Sequence, residues 1–307
     1  MTSITLAQAQ NLTQDEFLSG VIENTITVDM FYQVLPFKGI GSNAITYNRE
    51  LVLGDVQYAT VGSSITASAA ATTTQVTSSL TKIIGQAEVD DFVQLTMSGS
   101  TDQTGYQIAS KLKSAGRQYR DTLINGDGTS NSFSGLLSLV DAGMTIAADA
   151  TDGDVLSFEK LDALLDSITD KDGQVDYIIM NQRERRAYKA LLRALGGTGP
   201  DDVYMMPNGQ QVIAYNGVPI FADNWTPIDQ TQGSSTNAGV IIAGTLDDGS
   251  NKVGISGLTS AADYGLSVKQ VGTSQTKDEE LYRVRWYCGL ALWNLNGLGV
   301  CTGIIPA

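Results

Sequence analysis

Along NAITYNRELVL the apolar residues Ile45, Tyr47, Leu51 and Leu53 alternate with polar neighbours, the period of two that marks a strand with one apolar face. Beyond it, between Val56 and Thr81, there is no charged residue, and ITASAAATTTQVTSS is close to a polymer of Ser, Thr and Ala. Such a stretch has too few large apolar side chains to build a core, so it reads either as a flexible loop or as a long β-hairpin lying on another chain. IIGQAEVDDFVQL then reads as a strand leading into a loop. The period changes in TDQTGYQIASKLKSAGRQYRDTLI, where Tyr106, Ala109, Leu112, Gly116, Tyr119 and Leu123 recur at steps of three and four, with Lys111, Lys113, Arg117 and Arg120 on other faces. This predicts a helix of about six turns over residues 102–125.

The second half is built differently. LSFEKLDALLDSI places Phe158, Leu161, Leu164, Leu165 and Ile168 on one helical face behind Ser157 as N-cap candidate. QVDYIIM reads as a short buried strand. NQRERRAYKALLRALGG reads as a helix capped by Asn181, closed by Gly196 and Gly197, with Tyr188, Leu191, Leu192 and Leu195 as its apolar face. QVIAYNGVPIFA predicts a hairpin, because Asn216-Gly217 suits a type I′ turn, and Pro219 assigns the second strand to an edge or bulge. In EELYRVRWYCGLALWN the residues Tyr282, Val284, Trp286, Cys288, Leu290 and Leu292 alternate along one long strand. Residues 1–24 suggest an arm with a short helix around Leu12, Glu16 and Phe17. The class is α+β.

Composition narrows the chemistry. Histidine is absent from the 307 residues, which removes Ser-His-Asp and Cys-His catalysis and most transition-metal sites. Charged residues make up 17% of the chain, leaving a largely neutral surface suited to extended contacts with other chains. The net charge of −14 opposes long-range attraction to nucleic acid or anionic membrane. The absence of a basic, then apolar, N-terminal stretch and of a run of about 18 apolar residues leads us to expect a soluble chain with no signal peptide of its own. Cys288 and Cys301 match no metal spacing and read as buried thiols or, alternatively, a disulfide.

Several motifs raise a chemical question. In NGDGTSNSFSGLL, Asn125, Asp127, Thr129 and Asn131 alternate as calcium-loop ligands would, but the glycine and the bidentate glutamate such a loop needs are replaced by Ser130 and Leu136. The stretch therefore reads as the turn that ends the 102–125 helix. GIGSNA fits GxGxxA but leads into a strand, not a phosphate-binding helix. The two SxxK matches, at Ser110 and Ser157, lack their partner motifs. The acidic pairs Asp90-Asp91, Asp201-Asp202 and Asp247-Asp248 lack a catalytic context and read as solvated loops. No catalytic, cofactor or metal residue is assigned, and the chain is expected not to be an enzyme. Arg183, Arg185, Arg186, Lys189 and Arg193 gather five of nineteen basic residues on one helix. They lack the interleaved aromatics of a single-strand binder, so a solvated or inter-subunit face pairing with carboxylates is favoured over a nucleic-acid stripe.

The order of these segments resembles a known family. TYNRELVLGDVQYATVGSSITASAAATTTQVTSSL resembles the extended loop, and GYQIASKLKSAGRQYRDTLINGDGTSNSFSGLLSLV the spine helix, of major capsid proteins of tailed double-stranded-DNA phages, the Hong Kong 97 fold. DYIIMNQRERRAYKALL, NGVPIFADNW and LYRVRWYCGLALWN resemble its later segments. The resemblance implies an N-terminal arm at 1–35, an extended β-hairpin loop at 36–82 and a peripheral domain with the spine helix at 83–150. It further implies an axial domain at 151–280 and closing strands shared between domains at 281–307. It implies an icosahedral shell of hexamers and pentamers enclosing double-stranded DNA without reading its sequence, in the virion, assembled in the host cytoplasm. A portal, a separate scaffolding protein and a decoration protein are implied partners. Arg49, Glu50, Asp55, Tyr58, Ile65, Arg117, Arg120, Arg183 and Arg186 are the expected assembly contacts. An encapsulin-type compartment shares the fold and stays open as an alternative, as does a non-assembling α+β enzyme or adhesin.

Overall fold

The computed structural model describes residues 31, 34–97, 103–129, 131–149, 151–196, 203–206 and 209–306. Most of the expected arm, the Asp201-Asp202 pair, Gly197 and the first residue of the expected 102–125 helix lie outside them. Two large sheets and a separate hairpin organise the rest. The first sheet is built on Glu279–Leu292, whose alternating apolar residues meet three antiparallel neighbours. Thr81–Asp90 runs beside it from Cys288↔Thr81 to Glu279↔Asp90. On its other side Ile255–Ser260 covers Cys288 to Leu292, and Ser267–Thr273 covers Glu280 to Arg285. Phe37–Ile40 adds a parallel strand outside Ile255–Ser260.

The long helix is Gln103–Asn125, here called the spine helix. It buries Ile108, Leu112 and Ala115 against Ala87 and Val284 of the first sheet. Lower down, Tyr119 sits 4.4 Å from the Trp286 ring, centroid to centroid, and 5.4 Å from Phe133. Tyr106 and Gly116, expected on the buried face, are only half-buried; Ile108 and Ala115 are buried instead.

The second sheet runs in the order Thr145–Ala147, Leu298–Ile305, Ser235–Gly244, Tyr177–Met180, Val218–Ala222, Gln211–Tyr215, Val203–Met205. Tyr177–Met180 is covered on both faces, which is why it is apolar at every position. Ile178 and Met180 pack with Leu161, Leu164 and Ile168 of the helix Phe158–Thr169 and with Tyr188 and Leu192 of the helix Gln182–Ala194. Ile179 faces the other way and joins a cluster holding Tyr119, Leu123 and Trp286, so one core runs continuously from sheet to sheet. Cys288 and Cys301 belong to different clusters and are free buried thiols. Burial pushes them up to about 12 and about 11.

Several expectations need correction. VDDFVQL does not enter a loop: Asp90 accepts hydrogen bonds from the amides of Phe92 (2.9 Å) and Val93 (3.4 Å), starting the helix Asp91–Met97. Ser157 stands at the N-cap of its helix but makes no capping bond, whereas Asn181 accepts from Arg183 N at 3.2 Å. Leu195 is exposed. Asn216 and Gly217 take φ of 49° and 79°, as a type I′ turn requires, but Val218–Ala222 is an interior strand. Pro219 is tolerated because it pairs with Ala214 before the parallel pairing to Tyr177–Met180 begins at Ile220. Phe37–Ile40, Ile255–Ser260 and Ser267–Thr273 belong to the first sheet and Thr145–Ala147 to the second, a membership that residue periodicity does not specify.

Candidate functional site

Ala44–Val52 and Thr72–Ser79 form a two-stranded ribbon, paired from Ala44↔Ser79 to Val52↔Thr72 with a register shift between Glu50 and Val52, outside both large sheets. Nine residues at about 3.3 Å each make it roughly 30 Å long. Its root is fixed to the first sheet. Tyr47 donates its hydroxyl to the Leu292 carbonyl (2.6 Å) and packs its ring 4.7 Å from Trp293. Arg49 donates to the Trp293 carbonyl (3.1 Å) and also to the Leu292 carbonyl. Ile45, Tyr47 and Leu80 pack against Ile40, Leu258, Ala291 and Trp293.

Past Val52 the chain leaves the body but keeps a shape. Gln57 Oε1 accepts from the Thr66 amide (2.8 Å), the Thr66 hydroxyl (2.6 Å) and the Ala67 amide (2.7 Å), while Gln57 Nε2 donates to the Ser64 carbonyl (3.1 Å). The Asp55 amide reaches the Ala69 carbonyl at 3.2 Å. This ordered tip carries Leu53, Val56, Tyr58, Val61 and Ile65, all exposed, with Tyr58 and Val61 as open as in an extended chain (108% and 109%). Burying side chains of this kind is worth about 1.5–3 kcal/mol each before the costs of association. An exposed apolar run on a tethered arm is the form of a docking surface.

The residues expected to make assembly contacts fall into two groups. Glu50, Asp55, Tyr58 and Ile65 are exposed on the hairpin, and Arg186 is exposed on the helix Gln182–Ala194. Others turn inward. Arg49 is the hairpin's anchor through its bonds to the Leu292 and Trp293 carbonyls. Arg120 lies 3.8 Å from the buried Asp223, whereas Arg117, 5.9 Å from the Trp225 ring, stays exposed on the spine helix. Arg183 pairs with the buried Glu184 at 2.7 Å and donates to the carbonyls of Ile228 (3.1 Å), Asn237 (2.7 Å) and Ile304 (3.1 Å). Sequence reasoning missed Gln57 and the anchoring role of Arg49. The signal for Arg49 was its period-two position on the same face as Ile45 and Tyr47.

The oxygen-rich turn after the spine helix closes on itself. Asp127 accepts from the Thr129 amide (2.9 Å), the Ser132 hydroxyl (2.9 Å) and the Thr129 hydroxyl. Gly126 and Gly135 pack so tightly that a Cβ on either would overlap backbone carbonyls, with Thr122 O common to both. The Thr129 hydroxyl, then its amide and the Ser132 hydroxyl, hold the Asp127 carboxyl down at about 2, against the usual 3.8. Because the folded value is the lower one, its contribution is complete above about pH 4 and is lost as pH falls toward 2. Amide exchange at Thr129 should therefore accelerate across that window, a change that Asp127→Ala removes by making exchange fast throughout. Chelators should leave it unaffected.

No protein-family model matches the chain, and no curated protein matches it. Solved structures do. The holo-SrpI encapsulin complex from Synechococcus elongatus aligns over 99% of this chain and 97% of its own, with a TM-score of 0.72 at 17% identity. The capsid of a native GTA particle aligns over 96% and 95%, with a TM-score of 0.64 at 13% identity. A structure from Mycobacterium phage Bobi aligns over 98% of both chains, with a TM-score of 0.62 at 13% identity. At such identities the likeness is one of fold. The chain has the α+β Hong Kong 97-type capsid fold, and its spine helix and projecting hairpin are elements of that architecture.

Proposed function

We propose that this chain is the repeating subunit of a closed protein shell and acts by assembly, not by turnover. The observation that carries this reading is the ordered, apolar hairpin tip held away from its own body by Tyr47 and Arg49, on a fold shared with capsid and encapsulin shells. Laid over a neighbouring copy, it makes a heterologous contact, which closes into rings when the rotation between copies allows. Hexamers and pentamers of an icosahedral shell are the closed rings this reading proposes. Enclosed double-stranded DNA, with a portal, a separate scaffold and a decoration protein, is the phage form of the proposal, placing the protein in a virion capsid assembled in the host cytoplasm. The encapsulin alignment, with a TM-score of 0.72, favours a second form in which the shell holds a protein cargo. No helix among the described residues is long and apolar enough to cross a membrane.

Purified particles separate the two forms. Nuclease-protected double-stranded DNA inside them supports the phage form, and a co-purifying enzyme supports the compartment. A monodisperse species of tens of kilodaltons in light scattering would sink both.

The shell is expected to be non-covalent. A lysine able to reach a neighbour from the hairpin tip would be needed for an isopeptide weld, and none occurs from Gly39 to Thr81. Arg49, the basic residue in that span, stays protonated and cannot act as nucleophile. Particles dissolved in hot detergent should run as one band at the monomer position; a ladder surviving reductant would refute this.

A further inference from the structure

We propose that Asn216 is a site of spontaneous covalent ageing, at which the backbone nitrogen of Gly217 displaces the side-chain amide. Asn-Gly pairs occur at 125–126, 208–209, 216–217 and 296–297. Glycine is the follower that least shields its own nitrogen, since it has no Cβ. The fold then separates the pairs. Asn125 donates its amide to Asp121 (2.9 Å) and to the Trp225 carbonyl (3.0 Å), and the Gly126 amide is bonded to the Thr122 carbonyl (2.9 Å) in a junction with no room for movement. Gly297 is buried in a 3-10 turn, its amide bonded to the Asn294 carbonyl at 3.2 Å. Asn208 lies outside the described residues, and the Gly209 amide is bonded to the Met206 carbonyl at 2.9 Å.

Asn216 and Gly217 are different. Both are exposed at the end of a two-residue hairpin, both hold positive φ, and a Cβ on Gly217 would meet nothing within 4 Å. Among the described residues, neither the Asn216 amide nor the Gly217 N–H makes a hydrogen bond. The nucleophile and the electrophile are adjacent, unrestrained and wet. Attack forms the Gly217 N–Asn216 Cγ bond and breaks Cγ–Nδ2, and ammonia leaves with the proton from Gly217. Water then opens the succinimide. Addition at the side-chain carbonyl gives aspartate, and addition at the backbone carbonyl gives isoaspartate, with the main chain routed through Cγ.

Either product adds a negative charge to a chain already at −14. Isoaspartate also adds a methylene to a turn whose length sets the Tyr215↔Val218 register. The turn borders a cleft of about 570 Å³ lined by Asp176, Tyr204, Gly217, Val218 and Phe221, so both changes occur at its rim.

The test holds the full-length folded protein in mildly alkaline buffer, with the same chain unfolded in urea as reference. Peptide mapping reads the deamidated fraction at each pair, and isoaspartyl methyltransferase labelling reads the rearranged form. Asn216 should convert several-fold faster than Asn125 and Asn296, which should remain amides until the chain unfolds. Asn216→Gly keeps a two-residue turn of the same type and should abolish the signal from this peptide. An unchanged Asn216 in folded protein after the urea reference has converted, or earlier conversion at Asn125 or Asn296, overturns the proposal.

Discussion

Replacing residues 53–71 with Asn-Gly is expected to give a protein that folds but cannot close into shells. The ribbon ends at Val52↔Thr72, so a two-residue type I′ turn can join its strands there. The excised segment is exposed almost throughout and contributes nothing to the four buried clusters. Thermal unfolding of dissociated subunits should therefore change little. Assembly should change completely, because Leu53, Val56, Tyr58, Val61 and Ile65 leave together. At about 1.5–3 kcal/mol for each buried side chain, the gross loss is on the order of 10 kcal/mol per subunit before offsets, and every contact in a closed shell repeats it. Sedimentation should show subunits or small rings for the shortened chain and megadalton particles for the parent. Normal particles from the shortened chain would mean that the tip is not the docking surface.

The second large effect is a loss of stability. Arg183→Ala should destabilise the second sheet by about 3–5 kcal/mol, the range for breaking a buried ion pair from one side. Glu184 has a side chain with no exposed surface, and its Oε2 already lacks a partner, so losing the guanidinium leaves the whole carboxylate uncompensated. The carbonyls of Ile228, Asn237 and Ile304 lose their donor at the same time. Against a total of about 5–15 kcal/mol for a typical domain, this is a large share. Gly239→Ala should act through the same cluster, since its Cβ would overlap Glu184 Oε1 and Arg183 Nη2. Urea denaturation of dissociated subunits measures both. An Arg183→Ala midpoint equal to the parent's would show that the pair is not structural.

What could be read in the residues was what one segment states about itself. The spine helix, the buried strand Tyr177–Met180, the Asn216-Gly217 turn and the long strand Glu279–Leu292 each carry their periodicity within a short window. The hairpin was legible as an alternative to a loop, because Ser, Thr and Ala permit both. Membership of a sheet was not legible. Ile255–Ser260 and Ser267–Thr273 join a strand whose register no local pattern specifies, and Phe37–Ile40 pairs with a segment more than half the chain away. The direction of a charged side chain was equally hidden. Arg49, Arg120 and Arg183 look like surface cations in sequence, yet their partners are carbonyls and carboxylates brought in from distant segments. Arg186, beside Arg183 on the same helix, does face outward.

The hairpin's anchor also sets a time. Tyr47 bonds a carbonyl 245 positions later in the chain, and Thr81–Asp90 pairs along its whole length with Glu279–Cys288. Contacts of such separation close slowly and cannot form on the ribosome before both partners have emerged. A nascent chain thus carries its apolar tip with no fixed direction until residues around 293 are made. A ribosome stalled earlier leaves a hairpin on a loose hinge and a first sheet without its central strand. In the proposed shell, competence for docking would therefore arrive only with the last strands of the chain.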